Sequence, residues 1–420
     1  MRAIFVVLTL LFLVKGKVLV IFDSANDKVE YSEFVTMVKE LGEDIEIKEK
    51  TDLVELFEYD EPVYSTVLML SPTFSFKSAS ISSFVKYVDA GGNLLVSLSG
   101  NYTEKYTDLL YSFDMESDVA TSKVVDEIHT AKNGEDEMVF SNNVLSNPKV
   151  FPTKVNNVLF DGVALYLPES PMTSALLKGT ETSTTSLHST HIFAQKENIT
   201  LVGALQARNN ARVVVSGSTK LFSNKAFVNE YHTQNQKSVL DNKKFTKSVL
   251  EWVTQKSGVL VLKSFSWTKI DGVPAVSYDN QIVIGDTLKV QLEVEEKMNN
   301  KVTGYDAQDL QVEMKLLFPE ASVYLTSQGE GKYEGIIKTP LKFGVYTLLF
   351  KYNKPLQTYL EKKVTIPLRT YRSTQRESAY TIKEAYPFFI AVATMIGSFV
   401  LFIPLYLIQA KSCKKTEKVE

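Results

Sequence analysis

Apolar positions along the chain fall into distinct textures. Up to residue 98, short apolar runs alternate with amphipathic stretches. Lys17–Phe22 (KVLVIF), 45–47, 66–70 (TVLML) and 93–98 (NLLVSL) read as short buried strands. Between them, 28–41 has a helical pattern, and 78–89 places Ile81, Phe84, Val85 and Val88 on one helix face. Gly91-Gly92 then turns the chain into the fourth strand. Such alternation predicts a parallel sheet covered on both faces. The stretch from about 116 to 200 is polar, rich in Ser and Thr and less regular. Strand character resumes at 199–205 and 212–215. A helix is expected over 242–255, where Phe245, Val249, Trp252 and Val253 form one stripe. This closes an α/β unit near residue 256.

After Gly258 the period changes. Residues 259–262, 282–284, 288–294, 311–318, 332–339, 344–352 and 360–366 are strand-like, and Gly and Pro turns separate them without a helical period. Seven short strands in about 110 residues predict an antiparallel sandwich. Two further apolar runs lie at the ends. Residues 3–14 follow Met1-Arg2 and precede Lys15-Gly16-Lys17. As a helix they would span about 18 Å, short of a hydrocarbon core of about 30 Å, so they read as a signal peptide. Residues 385–410 carry no charge and are long enough to span a bilayer with some tilt. Tyr386 and Tyr406 suit its interfaces, and Pro404 is expected to bend it. Arg369, Arg372, Arg376 and Lys383 on one side and Lys411, Lys414, Lys415 and Lys418 on the other leave orientation undecided by charge. The cleavable signal decides it, translocating 17–384. The expected plan is a signal peptide (1–16), a Rossmann-like luminal α/β domain (17–256), a β-sandwich-like luminal domain (257–370), a juxtamembrane linker (371–384), one transmembrane helix (385–410) and a cytosolic tail (411–420).

Composition narrows the chemistry. Of 420 residues, 46 are Lys or Arg and 49 Asp or Glu, a net charge of -3 that offers no basic excess for nucleic acid. An apolar share of 44% and a charged share of 23% exclude wholesale disorder. The single cysteine, Cys413, excludes an intrachain disulfide and any CxxC zinc site. The first strand ends in Asp23-Ser24-Ala25-Asn26-Asp27, whose carboxylates and lack of glycine oppose a pyrophosphate. Ser97 and Ser99 lie where an α/β enzyme could place a nucleophile, but the residues two before them are Leu95 and Ser97, not the glycine that a strained elbow needs. The translocated part holds no cysteine for a Cys–His mechanism. His188 and His191, three apart among Thr and Ser, read as a solvated loop. Asp44 with Glu46 and Glu116 with Asp118 have a spacing that suits a divalent ion on a diphosphate. An exposed strand face for the first and a loop for the second are the plainer readings. Asn101-Tyr102-Thr103 and Asn198-Ile199-Thr200 are glycosylation sequons in the part assigned to the lumen. Ala393 with Gly397 and Thr394 with Ser398 form small-xxx-small pairs on which a second helix could pack, or are ordinary small residues of a span.

Residues 201–218, LVGALQARNNARVVVSGS, read as a hairpin about Asn209-Asn210. Gln206, Arg208, Asn209, Asn210 and Arg212 are nevertheless more than a turn needs. Related segments are 89–96 with Gly91, Gly92 and Asn93, 160–165 (FDGVAL), Lys332-Tyr333, 343–346 (FGVY), 378–380 (SAY) and 385–389 (AYPFF). In this order and spacing the chain resembles the 48 kDa subunit family of the endoplasmic-reticulum oligosaccharyltransferase, with 116–200 the least similar part. The resemblance implies an amidotransferase-like α/β fold that has lost its nucleophile, a β-rich domain and one membrane helix. It implies a non-catalytic role, with no catalytic residue, cofactor or metal to carry over. The implied partners are a multi-spanning catalytic subunit and ribophorin-type and small membrane subunits of a complex that transfers lipid-linked oligosaccharide to Asn in N-x-S/T. The catalytic subunit's W-W-D-Y-G signature is absent; the tryptophans are Trp252 and Trp267. The tail departs from a dilysine retrieval signal, with Glu417 and Lys418 at the positions concerned. Two other readings remain from the residues alone: a luminal hydrolase using two carboxyls about 5 to 9.5 Å apart, and a membrane-anchored receptor ectodomain, disfavoured by the lack of disulfides.

Overall fold

The computed structural model describes residues 17–416 apart from 78, 134–135, 187–198, 228–229, 233–236, 271–281, 299–300 and 372–384. The main elements of the first part are β1 (Lys17–Phe22), α1 (Ser32–Glu40), β2 (Asp44–Glu49), β3 (Tyr64–Leu70), α2 (Ile81–Asp89), β4 (Asn93–Ser97), α3 (Lys105–Tyr111), β5 (Thr173–Lys178), β6 (Thr200–Gln206), β7 (Arg212–Ser216) and α4 (Asn242–Val253). They build a nine-stranded sheet in the order β2-β1-β3-β4-β7-β6, continued by the short strands Leu165–Tyr166 and Glu116–Ser117, with β5 beside β6. Because successive side chains of a strand face opposite ways, β1 serves two cores. Val18, Val20 and Phe22 pack with Phe34 of α1 and Phe245 and Val249 of α4. Leu19 and Ile21 pack with Phe84 of α2 and Leu109 of α3.

The strands expected up to residue 98 pair in parallel, and the hairpin expected over 201–218 forms. The sheet is parallel from β2 through β7 and antiparallel from β6 onward. The cause is the tight turn at 207–211, which can join β6 to β7 only with reversal of direction. The helix expected over 28–41 breaks at Tyr31, which separates Asp27–Glu30 from α1. There Tyr31 turns its ring onto Phe22, with centroids 5.7 Å apart.

The second part contains β8 (Val259–Lys269), β9 (Thr287–Met298), β10 (Gln311–Lys315), β11 (Lys332–Lys338), β12 (Gly344–Tyr352) and β13 (Leu360–Arg369). One five-stranded sheet is centred on β8-β9-β11 and the other on β13-β12-β10. The alternation of β9 buries Leu288, Val290, Leu292 and Val294, which share one core with Val312, Leu348, Phe350 and Ile366 of the other sheet. The strand expected over 311–318 ends at Lys315, and 316–318 form a turn. The β12–β13 hairpin runs the length of this part, Tyr352 opposite Leu360 at one end and Gly344 opposite Leu368 at the other. Nine strand residues cover about 30 Å. Last comes α5 (Tyr386–Thr416), of which Tyr386–Ala410 is long and apolar enough to cross a membrane. The chain is thus a strand-rich α/β protein with one such helix among its described residues.

Candidate functional site

The polar residues of the 206–212 turn converge on the seam between the two parts. The turn closes through Ala207 N–H to the Ala211 carbonyl, 2.9 Å, and Asn210 N–H to the Ala207 carbonyl, 3.0 Å. Asn210 takes φ +70°, a left-handed conformation that Asn tolerates better than most residues. Asn209 accepts from Ala211 N–H, 3.0 Å, and donates to the carbonyls of Val88, 2.7 Å, and Asp89, 2.9 Å, which end α2. Asn210 reaches into the β part: its Nδ2 donates to the Tyr359 carbonyl, 3.2 Å, and its Oδ1 accepts from Tyr359 N–H, 2.7 Å. The side-chain amide thereby imitates one rung of a β ladder.

Arg212 is 1% exposed. Its Nε donates to Gln206 Oε1, 3.0 Å, one terminal nitrogen to the Trp252 and Ser257 carbonyls, 2.6 and 2.7 Å, and the other to the Gly258 carbonyl, 2.8 Å. All four partners are neutral oxygens. The Trp252 carbonyl belongs to the C-terminal end of α4, where the helix dipole favours a cation. The guanidinium also lies 4.8 Å from the Trp252 ring. Burial pulls Arg212 down to about 9, so it stays charged at neutral pH. It fastens the end of α4 and the start of β8 to the central sheet.

Trp252 extends the lock, its Nε1–H donating across the seam to the Leu356 carbonyl, 2.9 Å. Asn93 accepts from Arg212 N–H and Gln255 Nε2, both 3.1 Å. The neighbouring glycines have steric reasons. Gly91 has φ +97°, and a Cβ on Gly92 would lie 2.2 Å from the buried Tyr87 ring. Arg208 is exposed, and its charge acts on the Tyr359 hydroxyl, opposing the upward shift that burial causes there. A further tie is the ion pair of Lys149 and Glu296, 2.5 Å apart. Thus Gln206, Asn209, Asn210, Arg212 and Asn93 come together. Trp252, Gln255, Leu356 and Tyr359 join them, and of these only Trp252 had a sequence signal, as part of a helix stripe.

The remaining candidates lie elsewhere. Ser97 is buried, its hydroxyl donating to the Met69 carbonyl, 3.1 Å. Asp44 and Glu46 sit on β2, where Glu46 faces Lys48, 3.5 Å away. The loop expected at Glu116 and Asp118 is instead partly ordered: Glu116 lies in a short strand, and Asp118 is buried and accepts from Ser122, 2.5 Å, and Val119 N–H, 2.8 Å. Asn101 is exposed in the loop after β4. His188, His191 and Asn198 fall outside the described residues. Ala393, Thr394, Gly397 and Ser398 are exposed on α5, and a Cβ on Gly397 would meet nothing within 4 Å. A second buried polar centre escaped the sequence reading. Asp126 accepts from the hydroxyls of Thr180 and of Thr182, the latter 2.8 Å away, and from the Ile128 and His129 N–H groups, 2.9 and 3.0 Å. Burial raises its carboxyl, but those hydrogen bonds outweigh burial and hold it at about 2. Among the described residues no three His, Cys, Asp or Glu side chains converge as a metal site.

Two family models match the chain, described as the OST48 N-terminal domain over 11–256 and the OST48 middle domain over 271–410. The chain is similar to the dolichyl-diphosphooligosaccharide–protein glycosyltransferase 48 kDa subunit of Caenorhabditis elegans, at 27% identity over 96% of this chain and 94% of that one. The zebrafish (Danio rerio) 48 kDa subunit is likewise 27% identical, over 93% and 91%. Subunit wbp1 of the same glycosyltransferase from Schizosaccharomyces pombe is 27% identical over 90% and 89%. Among solved structures, a putative ThuA-like protein from Parabacteroides merdae aligns at 12% identity over 57% of this chain and 90% of that one, with a TM-score of 0.31 too low to bear on fold or function.

Proposed function

Because the chain belongs to the OST48 family, we propose that it is a non-catalytic subunit of the endoplasmic-reticulum oligosaccharyltransferase complex, supporting transfer of lipid-linked oligosaccharide to Asn in N-x-S/T. The observation that carries a scaffolding mechanism is the seam. The most distinctive polar residues, Gln206, Asn209, Asn210 and Arg212, bond the protein's own backbone and side chains. Two of them cross the seam, Asn210 to Tyr359 and Arg212 to Gly258, and these bonds hold the two parts together. The β12–β13 hairpin then acts as a strut of about 30 Å between the seam and the chain's exit toward α5.

On this reading 17–256 is a Rossmann-like, amidotransferase-like luminal domain and 257–370 a β-sandwich-like luminal domain. The linker is 371–384, the transmembrane helix 385–410 and the cytosolic tail 411–420. Two features support the fold assignment: a parallel half-sheet with helices on both faces, and two β sheets sharing one core. The proposed partners are a multi-spanning catalytic subunit and ribophorin-type and small membrane subunits. Ala393, Thr394, Gly397 and Ser398 are the proposed helix contact, and Asn101 and Asn198 the proposed glycan sites. The test is gentle detergent capture of the tagged full chain, with partners identified and transfer assayed. A multi-spanning subunit and transfer activity should come down together. Recovery of the chain alone would refute the proposal.

A further inference from the structure

The β part has two unlike ends. At one, the loop 353–359 brings Leu356 and Tyr359 to the seam. At the other, β12 begins opposite the end of β13, and the turns 316–318 and 339–343 lie beside each other, with Lys342 paired to Glu320. Lys315 at the end of β10 pairs with Thr347 of β12, and Leu316 Cδ1 lies 3.3 Å from the position a Cβ on Gly344 would take. Tyr371, just past β13, and Leu341 flank Gly285, with their nearest atoms 3.3 and 3.5 Å from its Cβ position. The tips of these turns are apolar and bare. Leu317 is 80% exposed, Phe318 77%, Leu341 75% and Phe343 70%, with Val345 and Tyr371 at the margin.

We propose that these turn tips insert into the headgroup layer of the bilayer that holds α5, so that the β part stands on the membrane through them. The inference rests on reading α5 as a membrane span. Three observations favour lipid as the occupant. First, Tyr371 belongs to this end, and α5 begins fifteen residues on. Fifteen residues reach at most about 50 Å even when fully extended, and the seam end lies about 30 Å farther along the β12–β13 hairpin, so this end is the one tethered closer to the membrane. Second, the apolar side chains project from separate convex turns. A bilayer accepts such side chains without shape matching, whereas a protein partner would have to be grooved to fit them. Third, the polar groups suit an interface. Lys342 stands between Leu341 and Phe343, its ammonium 3.1 Å from Glu320 and its side chain 71% exposed. That placement lets the stem lie along lipid and the charge reach phosphate. Tyr371 is half-exposed with its hydroxyl beside Gly285, and such an amphipathic ring is favoured at membrane interfaces.

The test uses the full chain in a Cys413→Ser background, which removes its only thiol. Single variants Phe318→Cys and Phe343→Cys carry a fluorophore and are reconstituted into phosphatidylcholine vesicles. Tyr111→Cys, on the α/β part, serves as the aqueous control, and Met395→Cys, on α5, as the lipid control. Quenching by brominated phosphatidylcholine is compared with quenching by aqueous iodide. The labels at 318 and 343 should be quenched by bromolipid several-fold more than the label at 111, and protected from iodide. If the label at 395 responds to bromolipid while those at 318 and 343 respond to iodide like the label at 111, the proposal is overturned. Protection that appears only when partner subunits are captured with the chain also overturns it, and assigns the tips to a protein. If the label at 395 ignores bromolipid, the membrane-span reading fails and takes the proposal with it.

Discussion

Asn210 permits a clean separation of hydrogen bonding from backbone strain at the seam. Its amide makes two bonds to the Tyr359 backbone, 3.2 and 2.7 Å, while its own φ is +70°. Asn210→Gly keeps the left-handed conformation at no steric cost and deletes both bonds. Each is worth about 0.5–1.5 kcal/mol net. Both residues are half-buried, so water recovers part of the loss, leaving about 1–2 kcal/mol, to which the greater unfolded-state entropy of Gly adds about 0.5–1 kcal/mol. Asn210→Ala deletes the same bonds and adds about 1–2 kcal/mol of left-handed strain. The lower unfolded-state entropy of Ala relative to Gly returns about 0.5–1 kcal/mol of this, which leaves Ala below Gly by roughly 0.5–1 kcal/mol. The assay is denaturant unfolding of the detergent-solubilised full chain, followed by tryptophan fluorescence. Trp252 reports directly, because its indole N–H bonds Leu356 across the same seam. The expected order of stability is wild type, Gly, Ala. A Gly variant as stable as wild type would show that the pair contributes nothing to the seam, and an Ala variant no worse than Gly would refute the strain argument.

Arg212→Met leaves the Trp252, Ser257 and Gly258 carbonyls without their donor and should cost several kcal/mol, at about 1–3 kcal/mol for each buried acceptor left unsatisfied. Arg212→Lys should not rescue it, because one ammonium cannot reproduce the fork; thermal unfolding of both variants checks this. Asp126 titrates at about 2 when folded against 3.8 for the free group, so its contribution is present above about pH 4 and lost as pH falls toward 2. An acid titration of stability should therefore show a shallower fall for Asp126→Asn than for wild type over that window. Gly397→Leu should reduce co-purification of partner subunits without reducing membrane insertion, read by capture and by alkaline extraction. Asn101→Gln should remove one endoglycosidase-sensitive mobility shift on a denaturing gel.

Local periodicity made much of the architecture legible. The core strands β1, β3 and β4 and the helices α2 and α4 show their faces in the spacing of apolar residues, and the long apolar helix α5 follows from the length and lack of charge of 385–410. The residues carrying the family resemblance were legible as well, because Gln206, Asn209, Asn210 and Arg212 exceed the needs of a hairpin turn. Their purpose was not. Asn210 meets Tyr359 and Trp252 meets Leu356 across separations of 149 and 104 residues, and no local pattern marks Leu356 or Tyr359 as partners. The order within 116–200 was equally hidden, because Asp126 is buried by bonds to Thr180 and Thr182 that a polar composition presents as solvated loop.

The amino-acid sequence by itself marked the strands of the parallel half-sheet, the helices that cover it and the long apolar run near the C-terminal end, since the period of apolar residues is set by the geometry of each element alone. Tertiary structure decided what those elements do together. It joined Asn210 to Tyr359 and Trp252 to Leu356, gave the buried Arg212 charge a ring of carbonyls, and left Leu317, Phe318, Leu341 and Phe343 bare at one end of the β part. Such outcomes depend on which distant backbone groups and surfaces meet, and that is settled only when the whole chain packs.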